Sequence, residues 1–295
     1  MQLYTKQFNA MGGPCEISIW AAYYPEQLFA LAINEAQRLE KKYSIYLDTS
    51  IISQINRSSD RFFSIDEETM ALFNYAHTCY EQSDGLFDVT SGVLKTVWDF
   101  KCNVIPKQSE IEQCLSFVGF NKLTFNGSAI HKPEGMQIDF GGIVKEYAAD
   151  CIANILLIQA GADLSALVNM AGDVFITNPQ PDNQHWQVAI THPQTKEAIA
   201  LLPVMRGAVT TSGDYERFIE INNERFSHLL NPKTGWPIKS PWASVSVVAT
   251  KAIIAGSASS IAMLYGEFGK NWLDELELPY LMVDQSFNCI VNKQE

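Results

Sequence analysis

The polar residues that could do chemistry fall in a few short runs. Val209-Thr-Thr-Ser-Gly-Asp-Tyr215 sets two threonine hydroxyls, a serine hydroxyl, a glycine and a carboxylate directly after a strand-like stretch. A dozen residues on, Ser227-His-Leu-Leu-Asn-Pro-Lys-Thr-Gly-Trp-Pro237 puts His228 beside a turn punctuated by Pro and Gly. Residues 217–221 and 222–226 read as a strand and the start of its hairpin return. That geometry carries the hydroxyls and the imidazole toward one edge of a sheet. Upstream, residues 136–140 read as a strand, Gly141-Gly142 follows, and Lys145 falls in the first turn of a helix over about 143–159. Amides at a helix start point outward and favour anions, and a lysine there adds a full charge. Asn169-Met-Ala-Gly-Asp173 is a further polar set at a strand end. Together these groups suit a small-molecule site with an anion-favouring bend beside it. The competing reading is a polar hairpin whose Ser, Thr and Asp satisfy turn amides.

A frame must hold them. Two strands flank Met11-Gly-Gly-Pro14, the second alternating in polarity over 16–20. Leu28, Leu31, Ala32, Glu35, Ala36 and Leu39 give helical spacing over 25–43. A second helix is predicted over 66–83, with Met70, Phe73, Ala76 and Tyr80 inward and Ser64 or Asp66 as cap. The loop 86–92 after Asp84-Gly85 carries Asp88 and Thr90. Ser109 caps a short helix to about 118. Further strands are expected at 121–125, 128–132, 164–168, 186–191, 197–204, 207–211, 216–221 and 243–249. A buried helix over 252–266 contains Ala255-Gly-Ser-Ala-Ser-Ser260, small enough for close backbone approach. A hairpin at 279–284 and 287–292 ends the chain. Strands and helices mix without regular βαβ alternation, which predicts α+β. No linker or repeat interrupts residues 1–295, so they read as one domain of two closely packed lobes of mixed or antiparallel sheet and helices.

Composition narrows the function. At 295 residues the chain can bury a sizeable core. A net charge of −12 leaves no basic field for nucleic acid. Six cysteines lack any C-x-x-C pair or metal-ligand rhythm and read as buried thiols in a reducing compartment. No stretch is long and apolar enough for a membrane span. No signal peptide opens the chain, and Cys15 follows Gly13-Pro14 rather than a lipobox. The expected compartment is the cytoplasm, or the periplasm if a leader has been removed.

Taken together, the segments resemble the ApbE-type flavin transferases, which move FMN from FAD onto a threonine or serine of a partner protein. The resemblance rests on Met11-Gly12, Gly85-Leu-Phe-Asp-Val-Thr90 with Trp98 and Phe100 downstream, and Ile138-Asp-Phe-Gly-Gly-Ile-Val-Lys145. Asn169-Met-Ala-Gly-Asp173, Thr211-Ser-Gly-Asp-Tyr215 and the 227–237 run complete it, in family order. It implies an ApbE-like, T-fold-related architecture with FAD in a cleft between lobes. It also implies His228 and Lys145 as catalytic groups. Met11, Gly12, Asp88, Thr90, Gly141, Gly142, Lys145, Asp173, Thr211, Ser212, Gly213 and Asp214 would be its FAD-binding residues. Mg2+ would lie on the diphosphate, held near the Val144 carbonyl and by the late helix, with a flavin-acceptor protein as partner.

Four positions depart from the family pattern. Gly256 stands where the late helix of the family carries an aspartate, and Ser260 where it carries a threonine. Asn231 replaces an aspartate, and Glu146 a glycine beside Lys145. The metal site implied here is therefore Val144, Ser260 and Glu146, with Mg2+ held weakly. Two further functions stay open at this level: an FAD-binding carrier, sensor or assembly factor that has lost efficient transfer, and a slow FAD pyrophosphatase. On the carrier reading, Gly256→Asp is expected to restore metal affinity.

Overall fold

An eight-stranded antiparallel sheet forms the frame. A computed structural model describes residues 1–58, 61–100, 102, 104–215, 218–221 and 224–292. Across the sheet run Gln2–Ala10, Gly13–Ala21, Ala166–Met170, Asp173–Ile176, Gly207–Gly213, Trp242–Ala249, Tyr280–Asp284 and Cys289–Asn292. Alternate residues serve opposite faces. Ile17, Ile19, Val168, Ala208, Val245, Val247 and Met282 join the main core, while Val174, Ile176, Val209, Leu281 and Val283 join a second cluster. The ribbon of Trp186–Thr191 and Ala198–Val204 contributes Trp186, Val188, Ile190 and Val204 to that second cluster. Trp242–Ala249 is covered on both faces, which explains its run of six buried residues. The ladders are antiparallel throughout these strands, so the α+β class follows.

The main core is closed by helices. Glu26–Tyr43 buries Phe29, Ala32, Ala36, Leu39 and Tyr43, a stripe at alternating steps of three and four. Leu31, expected inward, is 37% exposed, because the stripe runs through Phe29 instead. Glu67–Gln82 starts at Asp66, whose side chain accepts from the Thr69 amide. It buries Thr69, Leu72, Phe73, Ala76 and Cys79, leaving Met70 and Tyr80 at the margin of the core.

Glu68 ties this layer to the helix that begins the site. It receives a fork of hydrogen bonds from Arg38, at 2.9 and 2.6 Å, and one from Lys42 at 2.6 Å. The Tyr147 hydroxyl reaches it at 3.3 Å. The Arg38 fork, aided by Lys42 and opposed by burial, lowers its carboxyl from 4.5 to about 2. The unfolded chain therefore binds the proton first as pH falls. The contribution is complete above about pH 4.5 and is lost on descending toward about 2. In an acid titration followed by far-UV circular dichroism, Glu68→Gln is expected to start less stable at neutral pH and converge with the native chain below this window. A constant stability gap across it would contradict that role.

A helix absent from the sequence-based expectation, Ile51–Arg57, explains a second difference. Residues 136–140 are not a strand, although Met136, Ile138 and Phe140 alternate inward. Their backbone finds a side chain instead. Asn56 donates to the Ile138 carbonyl at 2.9 Å and accepts from the Ile138 amide at 2.7 Å. The Asp139 amide donates to the Val89 carbonyl at 2.8 Å. One carboxamide thus substitutes for a neighbouring strand and aims the chain into Gly141-Gly142. Asn56→Ala leaves both backbone groups of fully buried Ile138 unpaired. The expected loss is about 2–4 kcal/mol by chemical denaturation; a change under about 0.5 kcal/mol would mean water replaces the amide.

Candidate active site

The site collects where the central strand Gly207–Gly213 outruns its neighbour. Its ladder to Asp173–Ile176 covers Gly207, Ala208 and Val209, whereas its ladder to Trp242–Ala249 continues to Gly213. Ser212 and Gly213, expected beyond a strand ending at residue 211, are strand residues with Thr211. Ser246 and its neighbours hold them in register, with Thr211 Oγ1 2.8 Å from Ser246 Oγ. The Thr211 amide turns to Asp173 Oδ1 at 3.3 Å. Ser212 Oγ lies 2.8 Å from Ser259 Oγ and 2.9 Å from Ser260 Oγ on the late helix Ala252–Leu264. That helix is buried over most of its length, as its small residues predicted.

Two hairpin tips form a lip beside this strand end. Met11-Gly12 joins Ala10 to Gly13, and Ala171-Gly172 joins Met170 to Asp173; all four turn residues have positive φ, as two-residue turns between twisted strands require. Asn169 Oδ1 closes the second tip by accepting from the Gly172 amide at 2.8 Å. Cys15 pairs with Met170 behind the lip.

The helix Val144–Ala160 projects Lys145 and Glu146 into the same region. Lys145 Nζ lies 2.6 Å from Asp173 Oδ2, and the aspartate side chain is only 3% exposed. Glu146 is also buried, and its Oε2 has no hydrogen-bond partner. Burial first, and then the negative charge of Asp173, raise its carboxyl to about 8, against the pull of Lys145. The lysine near this helix start therefore meets a carboxylate of the lip. The Gly141 amide, expected to face an anion, donates to Asp139 Oδ1 at 2.7 Å. Gly142 packs against Phe87, where a Cβ would stand 3.1 Å from the ring.

Asp214 follows the strand end and is the hub of the other half. Its Oδ2 accepts from Gln285 at 3.0 Å and its main-chain carbonyl accepts from Arg225 at 2.9 Å. Burial raises its carboxyl, with Gln285, Arg225 and the charge of His228 working against that rise. His228, half-buried, follows the strand Glu224–Ser227 and thus sits within the field of Asp214. The hairpin partner of that strand is Phe218–Ile221; the expected strand start at 216–217 and the turn at 222–223 lie outside the described residues. Beyond His228, the Asn231 carbonyl accepts from the Gly235 amide at 2.7 Å, and Trp98 Nε1 donates to the Gly235 carbonyl at 2.8 Å. Gly235 has φ +72°, and a Cβ there would stand 2.3 Å from Ile111 Cγ2, so only glycine fits.

Asp88 and Thr90 have a different placement. Asp88 accepts from the Thr90 amide and hydroxyl at 2.8 and 2.6 Å and from the Phe120 amide at 3.1 Å. Thr90 Oγ1 in turn accepts from the Gly119 amide at 2.7 Å. Both are buried, so their oxygens shape the loop rather than point toward a ligand. Two clefts border the cluster. One, about 400 Å³, includes Cys15 and Asn169 of the lip; the other, about 510 Å³, begins at Asn231 and ends on Tyr265 and Phe268. Neither is lined by Lys145, Asp173 or Asp214. Arg225, Gln285 and Ser246 were not singled out in the sequence, because each comes from a segment that reads as plain strand or turn. Cys102 and Cys289 are exposed, against the expectation of buried thiols.

This chain is similar to known proteins along most of its length. It is 26% identical over 257 residues to the FAD:protein FMN transferase of Vibrio cholerae, covering 84% of this chain and 76% of that protein. The FAD:protein FMN transferase of Treponema pallidum is 26% identical over 288 residues, covering 89% and 79%. The crystal structure of an ApbE protein from Thermotoga maritima superposes with a TM-score of 0.91 at 28% identity, covering 99% of this chain and 97% of that one. The flavin transferase ApbE of Vibrio cholerae, at 22% identity and TM-score 0.88, shares the fold. The family model described as "ApbE family" matches residues 11–282, from the Met11 tip to the penultimate strand, and the chain belongs to that family.

Proposed function

We propose that this protein transfers FMN from FAD to a threonine or serine hydroxyl of a partner protein, releasing AMP. The observation that carries this reading is the match to proteins named FAD:protein FMN transferase over more than three quarters of their length. In the reaction the acceptor oxygen bonds to the FMN-side phosphorus, the bond to the bridging oxygen breaks, and AMP leaves with that electron pair. Such a displacement is mostly positioning and charge neutralisation. Lys145 supplies one positive charge at the strand end. His228 takes the acceptor's proton, with Asp214 orienting it. Met11, Gly12, Gly141, Gly142, Asp173 and the Thr211–Asp214 run line the FAD site on this reading, and Asp88 and Thr90 support its wall.

A divalent cation, when bound, supplies further neutralisation of the diphosphate. Val144, Ser260 and Glu146 are the residues proposed to hold it. The orphaned carboxylate oxygen of buried Glu146 fits such a group. Mg2+ typically binds through one or two carboxylates plus substrate phosphates, so a single protein carboxylate is compatible with it.

Incubation with FAD, Mg2+ and a flavin-acceptor domain tests the reading. The acceptor is expected to gain the mass of FMN less one water, with one AMP released per modified chain. AMP and free FMN in the absence of acceptor would instead indicate hydrolysis, and intact bound FAD a carrier. Either result would displace transfer as the function.

A further inference from the structure

Glu146 and Gly256 fit one another across the two site helices. The glutamate leaves the first turn of Val144–Ala160 and lies against Gly256 of Ala252–Leu264. A Cβ built on Gly256 would stand 2.5 Å from Glu146 Cγ, 3.0 Å from Cδ and 3.1 Å from Oε1. No side chain fits at 256 while Glu146 holds this position. Conversely, the missing Cβ is what allows the glutamate to lie between the helices. Gly256→Asp, expected from sequence to restore a cation site, would instead drive two side chains into one space.

The glutamate is 7% exposed and its Oε2 is unpartnered, a costly arrangement for an ionised group. Asp173 faces it, and Lys145 is the one cation paired to that aspartate in the structure. Two acidic side chains thus share the space beside a single lysine. Ser260 lies one turn beyond Gly256 on the same helix face, and its hydroxyl meets Ser212 at 2.9 Å. The face that Gly256 shares with Ser260 therefore carries a hydroxyl oxygen one turn beyond the glutamate's contact.

We propose that Glu146 binds a divalent, oxygen-preferring cation, delivered from the lysine-bearing helix through the space that Gly256 leaves open. Gly256 is then the steric complement of a ligand. The proposal rests on the transferase reading only in that diphosphate oxygens would complete the coordination. A carboxylate with neutral oxygens suits Mg2+ or Mn2+ better than a softer metal.

The test is Mn2+ binding to the whole protein, followed by electron paramagnetic resonance with and without FAD, alongside thermal melting and FAD fluorescence quenching. Glu146→Gln keeps the shape and removes the charge. It is expected to weaken Mn2+ binding by at least about tenfold while FAD alone still binds. Gly256→Asp alone is expected to lower Tm without tightening Mn2+ binding. The exchange Glu146→Gly/Gly256→Asp moves the carboxylate to the opposite helix through the same space, and should recover both Tm and Mn2+ affinity. Native-like Mn2+ binding in Glu146→Gln overturns the proposal. So does native protein that binds FAD but no Mn2+, since a proton would then occupy the orphaned oxygen. A native protein that takes up Mn2+ through Glu146 but not FAD would refute the transferase reading and leave this one standing.

Discussion

His228→Gln is expected to slow FMN transfer by about 10²–10⁴-fold, the usual worth of a positioned general base, with FAD affinity almost unchanged. Glutamine matches the imidazole in reach and polarity but cannot take the acceptor's proton. The arrangement around the histidine favours that role. Asp214 is 8% exposed and is anchored on three sides: its amide donates to the Ala243 carbonyl at 3.1 Å, Gln285 holds Oδ2, and Arg225 holds its carbonyl. Its carboxyl, raised by burial, is held down in part by the charge of His228. The same coupling read the other way means that an ionised Asp214 stabilises the imidazolium formed on proton uptake. The loop after His228 is fixed by Trp98 on the Gly235 carbonyl, so the imidazole is presented from a rigid support. A single-turnover rate at saturating FAD and acceptor isolates the chemical step from binding. A fall of less than about threefold, or an equal loss in FAD affinity, would remove His228 from the role of base. Asp214→Asn should give a smaller decrease that retains the proton-transfer signature, a solvent isotope effect.

Much of this architecture was legible in the sequence, and the failures have physical causes. The late buried helix and the terminal hairpin announce themselves through local composition and period. So does the 207–213 strand up to residue 211, while its last two residues carry turn-like composition. The hydroxyl of Ser212 looks like turn chemistry, but Ser259, 47 residues away, satisfies it in a helix contact, as Ser246, 35 residues away, does for Thr211 inside the sheet. Residues 136–140 show the reverse error. Their apolar alternation is real, but the hydrogen bonds that define a strand come from Asn56, on a seven-residue helix too short to show a period. Lys145 and His228 stand out in the sequence by residue type; which atoms they face does not. The Lys145 contact to Asp173 needs the Ala171-Gly172 turn to fold the aspartate back toward the helix start. The relation of Glu146 to Gly256 was visible only as two unusual residues 110 positions apart, until packing placed one in the space of the other.

Lys145→Met is expected to destabilise the protein by about 2–4 kcal/mol, somewhat less than breaking a fully buried ion pair, because the lysine keeps partial access to water. At roughly 2 °C per kcal/mol for a chain of this length, the fall in Tm is about 4–8 °C. The argument turns on what each deletion leaves behind. Removing the lysine strands Asp173, 3% exposed, opposite Glu146, with no neutralising charge in contact. The buried aspartate must then find another partner or the helix must move. Asp173→Asn leaves a lysine whose side chain is 28% exposed and can turn to solvent, while Asn Oδ1 still accepts from the Thr211 amide. That variant should cost clearly less. The pair Lys145→Met/Asp173→Asn should recover most of the loss, because no uncompensated charge remains buried. FAD binding separates stability from function. Both lysine variants should bind FAD more weakly whatever their Tm, since the diphosphate brings further negative charge to a strand end that has lost its cation. Additive effects in the double variant, or FAD affinity that follows Tm alone, would place Lys145 in the fold and outside the ligand site.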